Sequence, residues 1–121
     1  MSKSEKINVY IYTGLPDEAR QDFNQQIKEH DPKLIIAAVC ELLDVTKDQL
    51  ESNTRKRDVV EARYIAMALI MTANPEMMLR EVGAMFNRDH STVIYARDTY
   101  NKLMEGNKGF QNKVALVKQK V

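Results

Sequence analysis

The run Asp89-His90-Ser91-Thr92 sets four short or planar hydrogen-bonding side chains side by side. On the first turn of a helix lying in the major groove of DNA, such groups face base edges. An Asp carboxylate accepts from cytosine N4, Ser and Thr bond several base edges, and a Thr methyl meets the thymine methyl. The free N–H groups of that turn also favour a phosphate. The plain alternative is that Asp89 or Ser91 only caps the helix. A second cluster, Arg55-Lys56-Arg57, stands beside another helix start. An Arg presented there can enter a narrow minor groove, where negative potential is concentrated. Arg63, two turns further on, can reach a phosphate. The alternative is a solvated basic corner. Together the clusters divide the work of DNA recognition, in which phosphate contacts position what base contacts specify.

Other chemistries fit poorly. Asp89, His90 and Ser91 are the residue types of a hydrolytic triad, but consecutive residues on a helical turn do not face one another. Two histidines, His30 and His90, and the one cysteine, Cys40, make no metal-ligand cluster. No enzyme activity, metal or cofactor is expected. Cys40 sits in the apolar run 34–43 and reads as a small core residue, as do most of the methionines.

These residues need a scaffold, and the chain has the means to build one. Its 121 residues suit one domain, with 44% apolar and 29% charged residues as in an ordinary globular protein. No apolar run approaches the ~18 residues of a membrane span. No signal peptide is legible at the N-terminus, so a cytoplasmic location is expected. Net charge is only +1, but it is unevenly spread: residues 1–54 carry six basic and ten acidic groups, and residues 106–121 carry four lysines and no acid. A basic end suits a face turned toward DNA and suits a solvated tail equally well.

The expected fold is an all-α helical bundle containing a helix-turn-helix, with a candidate short strand over residues 7–12. That strand rests on the β-branched and aromatic residues there. A polar helix follows to about His30. Asp31-Pro32 opens the next helix, which runs to about Leu43. Thr46 and Gln49 form a capping-box pattern for a one-turn helix. Asp58 with Glu61 reads as another N-cap signature, starting a helix from Val59 to about Thr72. A short helix over about 78–86 and a long one over about 89–105 make the helix-turn-helix. Gly83 supplies the small residue at their crossing. Asn87 tolerates a left-handed turn, and Val82, Phe86, Val93 and Ala96 lock the pair. Gly106 ends the long helix. The division expected is an N-terminal arm over 1–31, a DNA-binding domain over 32–106 and a basic tail over 107–121, with some helix around 110–117.

From about 32 to 105 the chain resembles the C-terminal DNA-binding domain of the bacterial replication initiator DnaA. The likeness rests on Arg55-Lys56-Arg57, on Glu61-Ala62-Arg63 leading into Ile65–Leu69, on Glu81-Val82-Gly83, and above all on Arg88-Asp89-His90-Ser91-Thr92-Val93. It implies a target box of the TTATCCACA type. It implies that Arg55 enters the minor groove, that Asp89, His90, Ser91 and Thr92 face the major groove, and that Arg57, Arg63 and Arg88 lie near the backbone. Three departures accompany it. The family's turn has two glycines before the signature arginine, whereas here Asn87 alone separates Phe86 from Arg88, which can tilt the recognition helix. Met71 stands where the family often has Lys. Arg80 replaces a proline and offers a different backbone contact. None of the four glycines belongs to a phosphate-binding Gly-x-x-x-x-Gly-Lys loop, so the ATPase module of such initiators is not expected here.

The function expected is sequence-specific binding of double-stranded DNA in replication initiation or its regulation. The alternative is a protein-interaction or transcriptional role for the acidic arm, through a replication protein or a homodimer paired at strand 7–12. No membrane partner is expected.

Overall fold

The computed structural model describes residues 31–121. The expected strand at 7–12, the polar helix after it and the pairing roles assigned to them lie outside the described residues. Those described form six helices and no strand. They are α1 (Pro32–Leu43), α2 (Lys47–Glu51), α3 (Arg57–Ala73), α4 (Leu79–Ala84), α5 (His90–Gly106) and α6 (Lys108–Lys120).

Local sequence explains most of the boundaries. The Asp31 carboxylate accepts from the Lys33 N–H at 2.8 Å, and Pro32 occupies the first turn, where its missing N–H costs nothing. Asp44, with φ 55°, turns the chain out of α1 in the left-handed conformation. Thr46 and Gln49 make both bonds of a capping box, at 2.8 and 3.0 Å. At α3 the expected cap does not form. The helix begins at Arg57, and Lys56 stands at the cap without a side-chain bond. Asp58 and Glu61 face Lys113 of α6 instead, at 3.6 and 2.9 Å.

The helix α3 is the hub, packing against α1, α2, α4 and α5. Its Ile65, Ala66, Met67 and Ile70 are fully buried, and so is Ala62 on the preceding turn. A helix apolar around most of its circumference belongs at the centre of a bundle. Each large side chain buried there contributes about 1.5–3 kcal/mol.

Residues 107–121 are not a loose appendage. The helix α5 runs through Gly106, and Asn107 both closes it and opens α6, its side-chain oxygen accepting from the Phe110 N–H at 2.9 Å. Phe110, Val114 and Val117 are buried at the spacing of one helical face and join the same core. The helix α6 packs on α1 and α5, so the last helix covers the first. None of the described helices is long and apolar enough to cross a membrane.

Candidate nucleic-acid interface

The helix-turn-helix is α4, a turn at Met85–Asp89, and α5. Asn87 adopts φ 58°, so the shortened turn is closed by one left-handed residue. The Arg88 N–H donates to the Gly83 carbonyl at 2.8 Å. A Cβ on Gly83 would lie 2.5 Å from the Arg88 carbonyl oxygen and 3.0 Å from that of Asp89, which is why this crossing requires glycine. Val82, Phe86, Val93 and Ala96 are buried between the helices, as their spacing predicts.

Asp89 is the N-cap of α5. Its Oδ1 accepts from the Thr92 N–H and from the Thr92 hydroxyl, each at 3.0 Å. These two bonds hold its carboxyl below the usual carboxylate range. The capping role considered from sequence is therefore filled by Asp89. The Thr92 hydroxyl directs its hydrogen at that carboxylate, so toward a base it offers an acceptor oxygen and a methyl group. His90 and Ser91 stand exposed beside it.

The basic loop is shaped by short-range bonds. The Thr54 N–H donates to Ser52 Oγ at 3.3 Å, and the Lys56 N–H to Thr54 Oγ1 at 3.3 Å. Arg55, Lys56 and Arg57 are exposed, with Arg57 in a loose contact to Glu61 at 3.8 Å. Arg80, the second residue of α4, is exposed as well.

Arg63 and Arg88 occupy different surroundings. Arg63 is only 6% exposed. Its Nε donates to the Leu50 carbonyl at 2.7 Å, and one terminal nitrogen donates to those of Gln49 and Ser52 at 3.2 and 3.1 Å. Burial, and then the charge of Arg88, lower its pKa. Arg88 is half-buried and donates to the carbonyls of Glu51 at 3.1 Å and Phe86 at 2.9 Å, and also to Ser52. The carbonyls at the end of α2, from Gln49 through the cap residue Ser52, thus each accept from one or both guanidiniums. A helix C-terminus carries partial negative charge and orphan carbonyls, so cations suit it.

Arg55 and Thr92 line one open groove, with Arg63 and Arg88 in its wall. Two further residues line it that sequence reasoning did not single out. Tyr64 and Tyr95 meet edge to face, with ring centroids 6.2 Å apart. Burial, and then the ionisable hydroxyl of Tyr95 beside it, raise the Tyr64 pKa. Tyr95 is 62% exposed, a large apolar surface left open next to the recognition turn. Its position three residues after Thr92 on the same helix was the available signal.

The family described as bacterial dnaA protein helix-turn-helix matches residues 32–99, more than half of the chain. Among curated proteins, the chain is similar to chromosomal replication initiator proteins DnaA. That of Oleidesulfovibrio alaskensis is 42% identical over 60 residues, covering 50% of this chain and 13% of the relative. That of Nostoc punctiforme is 36% identical over 78 residues, 64% of this chain and 17% of the relative. That of Mycoplasma pneumoniae is 29% identical over 111 residues, 91% of this chain and 25% of the relative. The chain thus spans a quarter or less of the length of these relatives.

Proposed function

Because this chain belongs to the bacterial DnaA helix-turn-helix family, we propose that it binds double-stranded DNA sequence-specifically, in replication initiation or its regulation. The target is a box of the TTATCCACA type. The first turn of α5 enters the major groove, where His90, Ser91 and Thr92 meet base edges and Asp89 serves both cap and cytosine. Arg55 enters the adjacent minor groove. Lys56, Arg57 and Arg80 contact phosphates. Arg63 contributes from within, by holding the loop that carries Arg55.

One observation carries this reading: exposed Arg55 and the recognition-turn Thr92 line the same groove. One body can then follow the DNA from minor to major groove. A single module of this kind buries roughly 600–1,000 Å² of its surface.

Fluorescence anisotropy with a box-carrying duplex and a scrambled duplex, at two salt concentrations, tests it. Preference for the box that persists at higher salt is the expected result. Arg55→Ala should weaken binding and reduce A·T preference. His90→Ala and Thr92→Ala should each relax base choice by about 1–3 kcal/mol. Equal, salt-sensitive binding to both duplexes would overturn the sequence-specific reading.

A further inference from the structure

We infer that Arg88 is a positioning residue that sets Arg55 against the recognition helix, acting with Arg63 through the carbonyl they share at Ser52. The inference rests on the DNA-binding reading above and adds a coupling between its two halves.

The geometry is a short bridge. Ser52 stands three residues before Arg55, and its hydroxyl accepts the Thr54 N–H that shapes the loop. Arg88 stands immediately before Asp89, the cap of α5. The bonds from Arg88 to the Glu51 and Ser52 carbonyls therefore join the loop to the recognition turn across 36 or more residues of sequence. Arg63 fixes the same carbonyl from α3, at 3.1 Å.

The bridge supplies an order that α2 lacks by itself. A five-residue helix has little intrinsic stability; Ser52 caps the Gln49 carbonyl through its N–H and hydroxyl, and the carbonyls of Leu50, Glu51 and Ser52 take their side-chain donors from Arg63 and Arg88. Two planar guanidiniums provide those donors in fixed directions, which an ammonium cannot do. Setting two cations on one carbonyl is electrostatically unfavourable.

A double-mutant cycle combined with amide exchange tests the inference. Arg88→Lys keeps the charge and gives up the simultaneous reach to Glu51, Phe86 and Ser52. It should lower box affinity about ten-fold and reduce discrimination where Arg55 reads A·T, with little change in the salt dependence. In an Arg55→Ala background the same substitution should cost only about two-fold, because the group being positioned is already gone. In the free protein, exchange at the Thr54 and Lys56 amides should quicken while that at Val114 and Val117 stays unchanged. Arg63→Lys should produce the same pattern, and it replaces Arg88→Lys should that variant fail to fold. Losses that multiply in full, with unaltered exchange in the loop, would overturn the inference and leave Arg88 as a direct phosphate contact. If the parent protein does not prefer the box, the DNA-binding reading fails, and the exchange measurement still decides whether Arg88 orders the loop.

Discussion

Gly83 and Arg88 touch backbone to backbone: the Arg88 N–H donates to the Gly83 carbonyl at 2.8 Å, and a Cβ on Gly83 would sit 2.5 Å from the Arg88 carbonyl oxygen. The helix-turn-helix depends on this approach. Gly83→Ala gains about 0.8–1 kcal/mol of helix propensity. Against it stands overpacking on backbone that cannot swing aside, at about 1–3 kcal/mol. The expected outcome is a lower urea midpoint and weaker DNA binding. An unchanged midpoint would show that α4 and α5 can part without cost.

Asp89 makes the stability of α5 sensitive to acid. Its bonds to the Thr92 N–H and hydroxyl depress the carboxyl pKa in the folded protein. The unfolded chain takes up the proton first, at the ordinary Asp pKa of about 3.9. The stabilisation is therefore complete above that pH and is lost as pH falls through the lower, folded value. Asp89→Asn preserves a capping oxygen without the titration. Its thermal midpoint should thus fall less between pH 5 and the acid limit than that of the parent. Parallel curves for the two proteins would remove the assigned role.

Phe110 tests whether the C-terminal helix belongs to the core. It is 1% exposed and packs edge to face on Tyr100, with centroids 5.6 Å apart. Phe110→Ala should cost about 3–5 kcal/mol, a large part of the 5–15 kcal/mol typical of a domain. Denaturant unfolding measures it, and a loss under about 1 kcal/mol would make α6 peripheral.

Arg57 should separate binding from folding. Its side chain is 86% exposed and meets Glu61 only at 3.8 Å, a pair worth about 0.3–0.5 kcal/mol. Arg57→Ala should leave the unfolding midpoint nearly unchanged. It should weaken binding to all duplexes alike and reduce the salt slope by about one. A change in base preference would instead place Arg57 at a base edge.

Much of this protein was determined by sequence alone. Asp31-Pro32 and Thr46 with Gln49 set helix boundaries through bonds spanning two or three residues, and short-range bonds need no tertiary context. Gly83, Asn87 and the apolar set Val82, Phe86, Val93 and Ala96 reveal the helix-turn-helix because close approach and left-handed geometry admit few residue types. Tertiary structure decided the rest. Asp58 and Glu61 spell a cap, yet Lys113, some fifty residues away, claims both carboxylates. A basic C-terminal stretch reads as a solvated tail until α1 and α5 offer its apolar face somewhere to bury. Arg63 and Arg88 look like surface cations because guanidiniums usually are. Only the arrival of the carbonyls at the end of α2 beside them gives their charges an inward destination, and no local pattern encodes that meeting.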